Sequence, residues 1–177
     1  ALATPTSQLV DHDRDGAASS GAQNGGRAGG VAKSSIVNVV EIDIVEEVVR
    51  NLHESGLKGE DIGIICPYRA QLKHLHQRMS AAFPTVEVNT IDRYQGRDKP
   101  CIIVSFVKND TSGKLGALLQ DSRRINVALS RAKQKLIMVG SIRTLKNGDS
   151  QIMKELVSYL EKKSWVYSTS KTGHTET

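Results

Sequence analysis

The chain has 177 residues, which is enough for one folded domain with a hydrophobic core. Hydrophobic residues make up 38% of the sequence, charged residues 24% and aromatic residues 4%, a composition typical of an α/β protein and unlike that of membrane or disordered chains. Lys and Arg number 24 against 19 Asp and Glu, so the formal charge is +5, which permits a phosphate-bearing partner without requiring one.

Cysteine content and hydropathy exclude further classes of protein. Cys66 and Cys101 each lie in an apolar run, where a thiol usually packs as a small hydrophobic group. Two isolated cysteines without nearby His argue against a zinc site and a secreted disulfide framework, and they favour a reducing compartment. The sequence has neither a run of ~20 apolar residues nor a signal peptide, so no membrane partner is expected. Because the chain starts at Ala1 rather than Met, we expect a fragment of a longer polypeptide.

The two ends of the chain are predicted to be flexible. Residues 1–35 are rich in Gly, Ala and Ser and have almost no large apolar side chains, so they cannot bury enough surface to offset the entropy of ordering them. Residues 168–177 are similar. We therefore place one folded domain at residues 36–167.

Between these ends, helical and strand patterns alternate. Apolar residues with helical spacing begin at Val45 and again at Leu72, and later helices are predicted over residues 123–132 and around Leu156. Short apolar runs bounded by turn residues predict strands over residues 61–66, 86–90, 101–107 and 135–140. The alternation predicts an α/β fold, with a mostly parallel sheet and helices on both faces. In such sheets ligands bind beyond the carboxyl ends of the strands.

The first polar segment is Pro-Tyr-Arg-Ala-Gln at residues 67–71, directly after the first predicted strand. Pro67 suits a strand end because it lacks an N–H donor and has a fixed φ. We expect Tyr68, Arg69 and Gln71 to be displayed at the edge of the sheet. The alternative is a surface loop whose Arg and Tyr side chains are only solvated.

The second polar segment is residues 89–99, Asn-Thr-Ile-Asp-Arg-Tyr-Gln-Gly-Arg-Asp-Lys, between two buried strands. Thr90 can cap a short helical turn. Gly96 can end that turn in the left-handed conformation and lets backbone donors approach a phosphate or ribose. A capped surface turn would explain those two residues. It would not explain the density of other polar groups, at Asp92, Gln95, Arg97 and Asp98.

The third polar segment is residues 123–133, Arg-Arg-Ile-Asn-Val-Ala-Leu-Ser-Arg-Ala-Lys, which we predict as a helix with an apolar stripe. Arg124 and Arg131 are seven residues apart, so we expect them nearly on one face of that helix, roughly 10 Å apart along its axis. Guanidinium groups bind phosphate oxygens bidentately and stay ionised at any working pH. The pair could form a phosphate clamp, or it could be an ordinary charged surface.

Taken in order, these three segments resemble motifs IV, V and VI of superfamily 1 helicases, over about residues 62–140, and the last two motifs are highly specific. Within the superfamily the chain is similar to the eukaryotic DNA replication ATP-dependent helicase/nuclease family, which carries a similar Asp-[Lys/Arg]-Tyr-Gln-Gly-Arg-Asp-Lys segment. RNA-surveillance helicases of the same branch usually have Phe in place of Tyr94 and Glu in place of Asp98. The resemblance implies the second RecA-like domain of an ATP-dependent DNA helicase, with the sheet of P-loop NTPases.

The resemblance also implies roles for individual residues. Arg131 matches the arginine finger, the catalytic residue that reaches the γ-phosphate of ATP across a cleft between two RecA-like domains. The implied nucleotide-binding residues are Gln95, Gly96, Arg97, Asp98, Arg124 and Arg131. The residues implied to contact single-stranded DNA are Pro67, Tyr68, Arg69 and Thr90.

The position of Arg131 is the geometric test of this interpretation. We expect its side chain to project from the carboxyl edge of the sheet into the cleft between two domains. A side chain packed inside its own domain, or facing away from that edge, would overturn the motor interpretation.

Several parts of a complete motor are absent from the sequence. It has no Gly-x-x-x-x-Gly-Lys-[Ser/Thr] phosphate loop and no acidic magnesium motif. The resemblance therefore implies ATP with Mg²⁺ whose ligands lie on a first RecA-like domain of the same polypeptide, and this chain alone is expected to be inactive. The family's nuclease and iron–sulphur cluster would also lie outside this chain, and no metal site is expected within it.

The implied partner is single-stranded DNA and the implied location is the nucleus, with the mitochondrion as a second location. Two alternatives stay open: an RNA helicase of the same branch, and a nucleic-acid-binding fragment without motor activity. Asn38 and Glu41 faintly resemble an Asn-x-x-Glu element of the family, but a helix cap followed by a first-turn acid explains them better.

Overall fold

The computed structural model describes residues 6–12, 36–109 and 113–169. Six parallel strands form one sheet in the order β3-β2-β4-β5-β1-β6. The strands are β1 (Thr6–Asp11), β2 (Ile62–Ile65), β3 (Glu87–Asn89), β4 (Lys99–Ser105), β5 (Ala132–Gly140) and β6 (Val166–Ser168). The predicted parallel α/β sheet is confirmed, and the carboxyl ends of its strands lie at one edge.

Helices cover both faces of this sheet, as predicted. They are α1 (Val39–Glu54), α2 (Arg69–Ala82), α3 (Ala117–Gln120), α4 (Ser122–Leu129), α5 (Ile142–Asn147) and α6 (Gln151–Lys162), with short 3₁₀ helices at Gly59–Asp61 and Asp92–Tyr94. Over the ranges that the structure describes, no helix combines the length and the apolar character needed to cross a membrane.

Two apolar clusters, one on each face of the sheet, form the core. Alternate side chains of a buried strand enter opposite clusters, so Ile64 packs with α1 and α2 whereas Ile65 packs with α3 to α6. The cluster of α1 and α2 also contains both free thiols. Burial raises the pKa of Cys66 well above its ordinary value and that of Cys101 to about 11, so both act as small hydrophobic groups, as predicted.

The prediction of a flexible segment over residues 1–35 is wrong for Thr6–Asp11, which form β1. This strand pairs with β5 along its whole length and with β6 from Leu9 onwards, and Leu9 is buried. Composition averaged over the segment hides the strand, because Gly, Ala and Ser surround a run of only six residues. Likewise β6 extends to Ser168, one residue into the predicted tail. Of the two predicted segments, residues 1–5, 13–35 and 170–177 lie outside the described residues.

Helix α4 is shorter than predicted. It ends at Leu129, and Ala132, which we expected in the helix, begins β5. The apolar spacing extends the predicted helix too far because Ala132 is buried in the same cluster as Ala128 although its backbone is extended. Arg131 consequently lies in the turn between α4 and β5, and not on the helix with Arg124.

Tyr94 has the largest fully buried side chain of the described residues, and it depends on Gly63 of β2. A Cβ at residue 63 would overlap the Tyr94 hydroxyl, so only glycine allows this approach. The hydroxyl has no hydrogen-bond partner among the described residues. Its burial, together with the charge of Glu87, raises the pKa of Tyr94 well above the ordinary value.

We expect Tyr94→Phe to leave the free energy of unfolding unchanged or to raise it by about 1 kcal/mol, because a buried unsatisfied hydroxyl is unfavourable. Urea unfolding of this chain measures the change. Tyr159→Phe, which alters an exposed tyrosine of α6, is the matched control and should have no effect. A loss of more than about 1 kcal/mol in Tyr94→Phe would mean that the hydroxyl makes a favourable hydrogen bond.

Candidate functional site

A cleft of about 490 Å³ opens at the carboxyl edge of the sheet. Pro67, Tyr68 and Arg69, which follow β2, line this carboxyl-edge cleft together with Thr90, which follows β3. The fold thus brings the four predicted nucleic-acid contacts together. Arg69 is exposed and Tyr68 is half-buried, with its hydroxyl donating to the Leu115 carbonyl at 3.2 Å. Apolar side chains complete the lining: Ile36, Ile91 and Leu118.

Arg124 lines the same cleft, although the resemblance assigns it to the nucleotide. Its Nε lies 3.4 Å from Asp92 Oδ1 and 3.7 Å from Asp121 Oδ2. Asp121 also caps α4 by accepting from the backbone N–H groups of Arg123 and Arg124. Helix α4 therefore begins beside the cleft, and the structure groups Arg124 with the nucleic-acid residues rather than with Arg131.

The other predicted nucleotide-binding residues lie at the amino edge of the sheet, because Asp98 directly precedes β4. Gly96 has a φ of +76°, so the predicted left-handed turn is confirmed, and open space surrounds the position of a Cβ. Gln95 and Arg97 are exposed, and Arg97 Nη1 lies 2.6 Å from Glu87 Oε1.

The predicted side-chain cap by Thr90 is wrong. The 3₁₀ helix Asp92–Tyr94 has no side-chain cap. The Tyr94 N–H instead bonds the backbone carbonyls of Thr90 and Ile91, both at 3.1 Å. Backbone carbonyls can begin such a short turn, so the Thr90 side chain is not needed as a cap.

Arg131 is held against its own domain at the amino edge. Its Nη1 lies 2.9 Å from Asp98 Oδ1, its Nε donates to the Val127 carbonyl at 3.2 Å, and its Nη2 donates to Ser130 Oγ at 3.2 Å. The Arg131 carbonyl accepts from the N–H of Lys99 at the start of β4. The Arg131 side chain is 22% exposed and that of Asp98 is 45% exposed.

The expectation that Arg131 projects from the carboxyl edge is therefore wrong. Helix α4 runs antiparallel to the strands and brings the chain back to the start of β5, so Arg131 lies at the opposite edge. Because β4 has seven residues, the two edges are about 20 Å apart. The general preference for ligands at the carboxyl ends of strands explains the position of the cleft, but it does not explain the position of Arg131. The finger role of Arg131 therefore fails the geometric test that was set at the carboxyl edge. It is retained only on the motif match and on the partial exposure of the side chain at the amino edge.

Two segments connect the edges along one face of the sheet. Residues 90–98 and α4 both cross this face, and their apolar side chains are buried in the same cluster. Asp92 pairs with Arg124 near the cleft, and Asp98 pairs with Arg131 at the amino edge. The two candidate sites are thus physically linked by one helix with an ion pair at each end.

Glu41 lies at the centre of a buried polar cluster beside the carboxyl edge, with a fully buried carboxylate. Its Oε2 accepts from Ser105 Oγ at 2.6 Å and from the Val107 N–H at 2.9 Å, and its Oε1 lies 3.3 Å from His12 Nε2. The Asn38 side chain accepts from the Glu41 N–H at 3.2 Å. The predicted helix cap and first-turn acid are both confirmed, and Glu41 is in addition buried.

This polar cluster holds the strained exit of β4. Val107 has a φ of +68°, which a β-branched residue rarely adopts. Its N–H donates to Glu41, and its carbonyl accepts from Asn38 Nδ2 at 3.2 Å. Gln71, which we expected at the sheet edge, is instead buried in the cluster, where its Nε2 donates to the Asn38 carbonyl at 3.1 Å and to Ser105 Oγ at 3.3 Å.

Comparison with known proteins agrees with the motif assignment. The family described as AAA domain matches residues 2–143. The DNA replication ATP-dependent helicase/nuclease DNA2 of Xenopus laevis is 45% identical over 143 residues, which are 80% of this chain and 13% of the relative. The DNA replication ATP-dependent helicase/nuclease JHS1 of Arabidopsis thaliana is 51% identical over 117 residues, 64% of this chain and 8% of the relative. The chain therefore spans only a small part of each.

A solved structure supports the fold. The C-terminal domain of a possible DNA helicase from Lactobacillus plantarun WCFS1 matches this chain with a TM-score of 0.51 and 13% sequence identity. The match covers 94% of this chain and 85% of the helicase chain. Identity at this level shows the fold alone. The predicted RecA-like sheet is confirmed by this likeness together with the parallel strand order.

Proposed function

The chain belongs to the AAA-domain family and is a helicase domain similar to DNA replication helicase/nucleases, as its motifs predict. We propose that it is the second motor domain of an ATP-dependent DNA helicase that acts in replication and repair. The observation that carries the proposal is the separation of the motif residues. Pro67 to Arg69 and Thr90 line the carboxyl-edge cleft, whereas Gly96 to Asp98 and Arg131 lie at the amino edge. The two sets would serve different ligands.

The amino edge would meet the phosphates of ATP held by a first motor domain of the same polypeptide. Gly96 leaves the backbone accessible, and the guanidinium groups of Arg97 and Arg131 supply positive charge. Arg131 would stabilise the charge that develops during phosphoryl transfer. No group of His, Cys, Asp or Glu within the described part of the chain is arranged to hold a metal ion, so the protein ligands of Mg²⁺ would belong to the first domain.

The carboxyl-edge cleft would form half of the track for single-stranded DNA. Its half-buried Tyr68 and apolar lining offer surface for bases, and Arg69 and Thr90 offer donors for phosphates. Binding of this kind is salt-dependent and largely independent of sequence. When the amino edge closes on ATP, residues 90–98 and α4 would transmit the movement to the cleft. The contacts between the cleft and the DNA strand would then change.

The cleft assignment is tested by Arg69→Ala in the full-length helicase. We expect a lower affinity for a single-stranded oligonucleotide. The slope of log K against log salt concentration should fall in magnitude by about 0.7, because one phosphate contact to a single strand is lost. Fluorescence anisotropy titrations at several salt concentrations measure both quantities.

Arg50→Ala is the matched control, since it removes the same charge from an exposed position of α1 outside the cleft lining. It should leave the salt slope unchanged. Equal slopes for Arg69→Ala and the wild type would show that the strand does not contact this arginine. Stimulation of ATP hydrolysis by RNA as strong as that by DNA would instead favour an RNA-directed helicase.

A further inference from the structure

The geometry points to Asp98 as a positioning residue for Arg131, an inference that rests on the proposed function of Arg131. Asp98 Oδ1 lies 2.9 Å from Arg131 Nη1. The resemblance by itself assigns Asp98 to the nucleotide. In the structure, its carboxylate is directed to the guanidinium instead.

Three partners hold the Arg131 guanidinium, one on each of its nitrogens. Val127 and Ser130 come from the end of the same helical segment and accept from Nε and Nη2. Asp98 comes from a separate segment and reaches Nη1, so it restricts a rotation that the local contacts leave free. A guanidinium has five N–H donors, and two hydrogen bonds with one ion pair leave N–H groups for phosphate oxygens.

The backbone next to this ion pair is also fixed. The Lys99 N–H donates to the Arg131 carbonyl at 3.1 Å, directly beside both side chains. An aspartate on a fixed backbone has few rotamers, so the short side chain transmits that order to the guanidinium. Because both side chains are partly exposed, the ion pair contributes little to folding stability. Removing the Asp98 charge should therefore change activity without unfolding the domain.

The test is steady-state ATP hydrolysis by the full-length helicase with saturating single-stranded DNA. Asp98→Asn keeps the size of the side chain and removes its charge. We expect kcat to fall by about tenfold at an unchanged KM for ATP, because loss of orientation weakens a contact made in the transition state and not in the ground state. Asp98→Glu restores the carboxylate and should recover most of the rate.

Glu60→Gln is the control for charge, because Glu60 is an exposed carboxylate that closely precedes β2 at the same edge. It should leave kcat and KM unchanged. In an Arg131→Ala background, Asp98→Asn is expected to cause no further loss, because the group it positions is absent. Independent, multiplicative losses in the double variant would overturn the inference.

Two other results would also overturn it. An unchanged or higher kcat in Asp98→Asn would mean that the ion pair does not assist Arg131. The second result is that Asp98→Asn raises KM for ATP but does not raise KM for 2′-deoxy-ATP or 3′-deoxy-ATP. That difference would show that Asp98 contacts a ribose hydroxyl. Arg131→Ala alone separates the two proposals: if it retains wild-type hydrolysis the finger role fails, and if it loses hydrolysis while Asp98→Asn does not, only the positioning role fails.

Discussion

Replacing Arg131 with Ala in the full-length helicase is expected to lower kcat for DNA-stimulated ATP hydrolysis by about a thousandfold. The guanidinium would otherwise neutralise charge on the transferring phosphoryl group, and a methyl side chain cannot. The affinity for single-stranded DNA should stay unchanged, because Arg131 lies at the amino edge whereas the cleft lies at the carboxyl edge. Hydrolysis and anisotropy measurements on the same preparation test both statements.

Arg131→Lys sharpens this prediction because it keeps the charge and removes the planar fork. A lysine ammonium cannot span Asp98, the Val127 carbonyl and Ser130 at once, so we expect the rate of Arg131→Lys to lie between those of the wild type and Arg131→Ala. Arg50→Ala, on α1, is the matched control and should hydrolyse ATP at the wild-type rate. Wild-type hydrolysis by Arg131→Ala would refute the finger role. A large loss of DNA affinity in that variant would refute the separation of the two sites.

Replacing Glu41 with Ala is expected to lower the free energy of unfolding by about 3–5 kcal/mol, because several buried donors lose their acceptor and each such loss costs about 1–3 kcal/mol. The change leaves the buried Val107 N–H without its acceptor and takes a hydrogen bond from Ser105. It also removes a hydrogen bond that holds Val107 in its left-handed backbone conformation. Urea unfolding of this chain, followed by circular dichroism, measures the loss.

Glu47→Ala is the matched control, because Glu47 is an exposed carboxylate on the same helix. Its effect should stay within about 0.5 kcal/mol. Glu41→Gln keeps one acceptor oxygen and should fall between the two, which provides a measurement if Glu41→Ala does not fold. A loss below about 1 kcal/mol in Glu41→Ala would show that solvent or neighbouring groups replace the carboxylate.

The parallel sheet and the cleft could be predicted from local sequence. The apolar runs of β2, β4 and β5 are short, bounded by turn residues and alternate with helical patterns, which together favour a parallel sheet covered by helices on both sides. Pro67 to Arg69 and Thr90 each follow a strand. The carboxyl ends of parallel strands share an edge, so their spacing along the chain was enough to bring them together.

The contacts between distant segments could not be predicted in this way. Thr6 pairs with Lys135 in β5, and Ser105 meets Glu41 across 64 positions. Periodicity reports the local conformation of a segment and the face it buries, but not which distant segment will lie beside it. The Asn-x-x-Glu spacing was the only sign of the buried cluster, and it indicates a helix cap equally well.

The amino-acid sequence by itself determined the types of the central strands β2 to β5 and of the longer helices, their buried faces and the family motifs, because these depend on residues close together in the chain. Only the tertiary structure decided the edge at which Arg131 lies and its pairing with Asp98. Both depend on where α4 ends and on its antiparallel path across the sheet. That path follows from packing of the whole face, which no single segment of the sequence contains.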